Sequence, residues 1–153
     1  MCYNRRGRAR LTKRKMLLAC LAAAKGGTYE PVQIQKLVFL FQEKAPDLFK
    51  KKPFTFFPYN YGPFDQTIYA ELDQMSGEGL VRIWPGTYGT PRSYDLTEDG
   101  KKAAEEVLGK MEERFRDFLI HLSAWVRSVS FAALVGAIYK EFPEMKVNSV
   151  FRD

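Results

Sequence analysis

Between Gln33 and Ala104 three local signals follow one another in an order that a single small architecture requires. Gln35-Lys36-Leu37 lies in a strongly apolar helix, Tyr61-Gly62-Pro63-Phe64 forms a rigid corner leading into another, and Tyr94-Asp95-Leu96-Thr97-Glu98-Asp99-Gly100 closes a hairpin and starts a third. Pro63 fixes its own backbone and biases Gly62 away from helical geometry, so the corner is set by covalent structure.

The flanking sequence fills in the remaining elements. A first helix is expected from Thr12 or Lys13 to Ala24, stopped by Gly26-Gly27. A second, Pro31 to Lys44, carries Ile34, Leu37, Val38 and Phe41 on one face, widened by Phe39 and Leu40, and a helix so apolar is central. A short strand is expected at 54–57, ended by Pro58 or left on a sheet edge. Asp65 stands where an N-cap belongs, and Ile68, Leu72 and Met75 follow at helical spacing until Gly77 and Gly79. Leu80 to Trp84 and Ser93 to Leu96 read as strands joined by the tip Pro85 to Pro91. Thr97 caps the next helix, and Ser130 caps a last short one that Pro143 ends. The expected fold is mainly α with a small β-hairpin wing. It comprises a basic flexible arm at 1–14, a winged-helix-like domain at 15–103 and a C-terminal helical extension at 104–153.

The extension carries the most regular pattern in the chain. Ala104, Leu108, Met111, Phe115, Phe118, Leu122, Trp125 and Val129 recur at heptad spacing. One helix over that stretch would extend roughly 38 Å at 1.5 Å per residue, more than a small domain covers. Two readings follow: a seam meeting a second copy or another protein, or a helix folded back on the chain's own core. The first makes Phe115, Phe118, Leu122 and Trp125 interface residues of a homodimer.

Of the 24 Lys and Arg, seven (Arg5, Arg6, Arg8, Arg10, Lys13, Arg14 and Lys15) precede residue 16, leaving 17 against the 18 acids of the body. The basic character therefore belongs to an arm, which either binds phosphate without sequence selectivity or is simply solvated. The third helix would be the groove-reading one in a DNA-binding version of this fold. From Phe64 to Gly79, however, it carries Asp65, Glu71, Asp73 and Glu78 and no Lys or Arg, and acids facing a polyanion weaken binding. Only Arg82 and Arg92 of the wing, Lys50 to Lys52 and the arm could offset them, and the second reading of the chain is a winged-helix DNA-binding transcriptional regulator that uses the arm and wing.

An enzyme needs converged groups, and the inventory is poor. The one histidine, His121, sits on the long helix, and Glu105, Glu106, Glu112 and Glu113 flank Lys101, Lys102, Lys110 and Arg114 as a solvated helix face would. No nucleophile elbow, phosphate-binding glycine loop or dinucleotide fingerprint occurs. No catalytic residue, metal or cofactor is expected. Cys2 and Cys20 lack metal-ligand spacing, and Cys20 fits the apolar face of the first helix. Residues 1–24 imitate a secretory signal, but the apolar run ahead of Cys20 is only four residues, and nothing approaches a membrane span. A cytoplasmic protein is expected.

What remains suits a protein partner. Six of the 22 aromatic residues fall between Phe54 and Phe64. Tyr59, Tyr61, Phe64 and Tyr69 are candidate anchors, since tyrosine buries wide area while keeping a polar tip. Alternatively the cluster closes the core beneath the second helix.

Gln33-Ile34-Gln35-Lys36-Leu37-Val38-Phe39, the Tyr61-Gly62-Pro63-Phe64 corner with Ile68-Tyr69, Leu80-Val81 and Leu96-Thr97-Glu98-Asp99-Gly100 together resemble the phage-associated family whose antitoxin members are called Panacea or SocA-like. The likeness covers roughly Leu17 to Val107, and Ile138 to Glu144 with Asn148-Ser149 also resembles the C-terminus of some relatives. It implies a small cytoplasmic non-enzymatic protein that neutralises a toxin or adapts one protein to another. The basic arm and the heptad helix depart from that pattern.

Overall fold

The computed structural model describes residues 11–151 and is mainly helical, with two small antiparallel hairpins. Helix α1 (Lys13–Ala22) starts at Thr12, whose hydroxyl accepts from the Lys15 amide at 3.2 Å. Met16 through Leu21 are all buried, and α1 packs against α2, α3, α4 and strand β4, so it is apolar all round because it is surrounded. Helix α2 (Pro31–Lys44) buries every residue from Ile34 to Gln42. Leu11 is buried and Thr12 caps, so Lys13 and Arg14, assigned to the arm from sequence, lie in α1.

Strands β3 (Val81–Trp84) and β4 (Ser93–Leu96) form the expected hairpin, with Val81 opposite Leu96 and Trp84 opposite Ser93. Tyr29 adds a third extended segment, exchanging hydrogen bonds of 3.0 and 2.9 Å with Tyr94. A second hairpin, absent from the sequence expectation, pairs β1 (Phe57–Tyr59) with β2 (Gly62–Phe64). The strand expected at 54–57 therefore starts late, and the Tyr61-Gly62-Pro63 corner closes a hairpin before any helix begins. The reason is that the Gln42 side chain already occupies both backbone groups of Phe54, which is buried against α2 and unavailable for strand pairing.

Helix α3 (Thr67–Gly77) buries Ile68, Leu72 and Met75 as their spacing predicts. The single long helix over 104–129 does not form. Helix α4 (Glu98–Gly109) ends, Lys110 to Glu112 turn, and α5 (Glu113–Ser128) starts in a new direction. Gly109 weakens the helix at the break, where the Leu108 carbonyl accepts from the Met111 amide at 3.1 Å and from Arg116 Nη1 at 3.0 Å. The break lets one apolar stripe follow two partners, with α4 against α1 and α5 against α2. Within α5 the buried stripe is Phe115, Leu119, Leu122 and Val126, so it is rotated from the expected seam. Phe118 is half-buried beside Phe41, and Trp125 is 38% exposed. Phe115 and Leu122, assigned to a dimer seam, lie in the chain's own core because α5 folds back on α2. Helix α6 (Phe131–Glu141), capped by Ser130, and a 3₁₀ turn at Pro143–Lys146 carry the tail back to the β1–β2 hairpin.

Candidate protein-binding site

Three polar side chains on the buried face of α2 fix the β1–β2 hairpin. Gln42 donates to the Phe54 carbonyl at 2.9 Å and accepts from its amide at 3.0 Å, and Gln35 does the same for Asp65 at 2.8 and 3.0 Å. Between them Lys36, 3% exposed, donates from Nζ to the Pro63 carbonyl at 2.9 Å. The buried Asp65 carboxylate accepts from the Thr55 amide at 2.9 Å and from the Thr67 amide and hydroxyl at 2.8 and 2.6 Å, which ties the hairpin to the start of α3. Each reciprocal glutamine pair satisfies a donor and an acceptor that would otherwise be buried unpaired, at about 1–3 kcal/mol each. The Gln-Lys-Leu and Tyr-Gly-Pro elements are therefore two halves of one clamp.

Gly62 is required on two counts: its φ is +95°, and a Cβ there would lie 3.2 Å from the Tyr139 ring of α6. Tyr139 in turn donates to Ser149 Oγ at 2.5 Å, and Ser149 donates to the Asn60 carbonyl at 3.2 Å. Val150 N–H and Asn148 Nδ2 donate to the Asn60 and Pro58 carbonyls at 2.9 and 3.1 Å. The hairpin is held from below by α2 and from the side by the tail.

Burial pushes the Lys36 ammonium down to about 8 from its ordinary 10.5. A lysine whose folded value is lowered penalises the fold fully below that value, and the penalty fades as pH rises towards 10.5. Lys36→Met removes this dependence. Its stability relative to the parent is expected to be highest below pH 8 and to fall by about 3 kcal/mol by pH 10.5, in urea titrations across that range. Taking the difference cancels the buried Cys20 and Tyr29, whose raised values lower stability at alkaline pH in both proteins. Parallel curves would show that Lys36 is not charged and buried as described.

On its outer side the clamped hairpin bears an aromatic ridge. Phe57, Tyr59 and Tyr61 are 64%, 49% and 45% exposed, and Phe131 at the start of α6 is 42% exposed. Tyr59 packs edge-on to Phe64 at 5.1 Å, and Phe64 lies 5.8 Å from Tyr69. Tyr61 meets Phe131 at 5.1 Å, and Phe131 meets Phe151 at 5.9 Å. The four candidate anchors thus fall into two ring clusters at the hairpin, Tyr59 with the half-buried Phe64 and Tyr69, and Tyr61 with Phe131 and Phe151. Phe57, Phe131 and Phe151 were missed from sequence. Phe131 and Phe151 are brought there only by tertiary folding, whereas the exposed Phe57 could have been found from its place among the aromatics at 54–64.

The remaining candidates lie elsewhere. Trp125 edges a separate groove between α2, α5 and α6, beside Leu40, Ile138 and the Lys44–Glu141 ion pair. Arg5, Arg6, Arg8 and Arg10 lie outside the described residues. Lys13 sits 5.7 Å over the Phe54 ring, Arg14 pairs with Glu78, Arg82 pairs with Asp95, and Arg92 stacks 5.6 Å over Tyr69. Arg14 and Arg92 thus meet the end and the start of α3, whereas Lys13 and Arg82 are held by other elements. The acidity of α3 is also smaller than the sequence count, since Asp65 is used internally and Glu78 is matched by Arg14. The exposed positions of α3 are Ala70, Asp73, Gln74 and Gly77, with no Lys or Arg.

Among the described residues no group of three or more His, Cys, Asp or Glu is placed to hold a metal, and no helix is long and apolar enough to cross a membrane. The chain matches no family model and no curated protein.

Proposed function

We propose that the chain is a non-enzymatic protein-binding module of the antitoxin or adaptor kind, built on a winged helix. The order α1, Tyr29, α2, α3, β3, β4 supports the winged-helix reading, with Tyr29 in place of a first strand and β3–β4 as the wing. The observation that carries the functional reading is the exposed ridge of Phe57, Tyr59, Tyr61 and Phe131. Aromatic residues held rigidly in solvent lose little conformational entropy on docking and make the strongest anchors in protein interfaces. The antitoxin class comes from the resemblance of the Gln-Lys-Leu and Tyr-Gly-Pro elements, and the clamp gives those elements a purpose: presenting the ridge.

Co-expression with the products of the adjacent genes tests this reading. A toxic neighbour whose product co-purifies with this chain in a fixed ratio is expected. If no neighbour is toxic and none co-purifies, the antitoxin version fails.

A further inference from the structure

The wing leaves one row of main-chain groups without a partner. Tyr94 exchanges both of its main-chain hydrogen bonds with Tyr29, so its N–H and C=O point away from β3. Ile83, which stands opposite Tyr94, is therefore a non-hydrogen-bonded member of the β3–β4 ladder. The alternation is fixed from the other end as well, because the Leu80 carbonyl accepts from the Thr97 amide at 3.1 Å and so points to the β4 side. Arg82 and Trp84 accordingly bond β4, while the N–H and C=O groups of Val81 and Ile83 face the opposite way, along the outer edge of β3. No described residue meets these four groups with a hydrogen bond, and no described strand lies beyond β3.

β3 carries none of the prolines, bulges or inward charges that commonly blunt an open strand. Val81-Arg82-Ile83-Trp84 is β-branched and aromatic, and its one charge lies on the outer face. The β1–β2 hairpin shows the contrast. The Pro58 and Pro63 carbonyls are taken by Asn148 and Lys36, and neither proline has an N–H to offer. Ile83 points the same way: it is only half-buried although Val81, on the same face, is 2% exposed. A residue placed opposite Ile83 on an added strand would cover it.

Donors and acceptors alternating at strand spacing are met in full only by another extended chain. We propose that the edge of β3 takes up an extended segment of another polypeptide as an antiparallel added strand, with an acidic residue opposite Arg82 and an apolar residue on each side of it. The apolar pair lies opposite Val81 and Ile83 and shares their inward face, and the acid shares the outer face with Arg82. Asp95 and the Leu96 carbonyl take Arg82 Nε and Nη2, which leaves Nη1 for the incoming carboxylate. A second copy of the chain fits less well. Antiparallel self-pairing through all four groups sets Arg82 opposite its own counterpart, and like charges in that position destabilise. The edge is a different surface from the aromatic ridge, and the inference stands whether or not the ridge binds a partner.

The full chain, isotope-labelled for amide resonances, is titrated with the peptide acetyl-Thr-Thr-Val-Glu-Val-Thr-amide. The Val81 and Ile83 amides are expected to shift saturably and to exchange with solvent at least about tenfold more slowly at saturation, while the Arg82 amide, already bonded to β4, changes little. N-methylation of both peptide valines removes the donors that face the edge and is expected to weaken binding at least about tenfold, whereas N-methylation of the glutamate, whose amide faces away, leaves it unchanged. Lysine in place of the peptide glutamate weakens binding at least about threefold. Absence of saturable shifts at Val81 and Ile83 up to millimolar peptide, or equal binding of the valine-methylated or the lysine peptide, overturns the proposal. So does a concentration-dependent shift of these amides without peptide, which would put a second copy on the edge.

Discussion

Phe115→Asp is expected to abolish folding rather than to dissociate an oligomer. Phe115 is 7% exposed and lies in the same core as α1 and α2. Truncating such a phenylalanine removes about 3–5 kcal/mol by itself. A carboxylate in its place must in addition be protonated or drag water into the core. The total equals most of the stability of a domain this size, about 5–15 kcal/mol. Leu122→Asp, 9% exposed two turns further along the same stripe, behaves alike. Trp125→Asp, at a position 38% exposed beside that stripe, leaves the fold intact. Circular dichroism and sedimentation separate the outcomes. A folded Phe115→Asp protein of reduced mass would restore the intermolecular seam that the heptad spacing suggests.

Gly100→Ala carries the next largest effect. Glycine at this position of the Leu-Thr-Glu-Asp-Gly element allows α4 to start directly on the strand below: a Cβ there would lie 1.9 Å from the Leu80 carbonyl oxygen. That oxygen already accepts from the Thr97 amide at 3.1 Å, and Thr97 Oγ1 caps the helix at the Gly100 amide at 3.0 Å. The obstacle is backbone in a bonded turn, so α4 must move away from α1, its main packing partner. A loss of about 3 kcal/mol in urea denaturation is expected, the upper end of overpacking costs. Gly109→Ala is the matched control. No atom stands near its Cβ, and alanine there gains about 0.5–1 kcal/mol of helix propensity. Equal effects of the two substitutions would show that propensity and not the Leu80 contact governs Gly100.

Most elements were legible because local chemistry and tertiary packing agree on them. The caps at Thr97 and Ser130 stand where residue type places them, and the buried faces of α2 and α3 match their spacing, whereas Asp65, expected at the N-cap of α3, precedes the actual cap, Gln66, by one residue. Legibility failed where a long-range contact overrides a local preference. The heptad spacing is continuous through Lys110, yet the chain turns there, with the Lys110 and Met111 amides closing the end of α4 and Arg116 adding a bond to the Leu108 carbonyl from the far side of the break. Gly109 was the available signal. The β1–β2 hairpin was invisible because its strands are three residues each and contain Pro58 and Pro63, which argue against pairing. The candidate anchors were legible as aromatic residues but not as a surface, since Phe131 and Phe151 come from parts of the chain far from Tyr61 in sequence. The polar residues Gln35, Lys36 and Gln42 within so apolar a helix were the unread sign that something polar had to be held there.

The docking role of the ridge is tested most directly by Tyr61→Ser combined with Phe131→Ser in the complex with the co-purifying partner. Both side chains are nearly half-exposed and touch each other at 5.1 Å, so the free protein should melt within a few degrees of the parent, about the shift expected for surface changes. Titration calorimetry should give a Kd raised about 100-fold or more, the loss of two central anchors. A Kd unchanged in a normally folded double variant would place the partner elsewhere and leave the ridge without the function assigned to it.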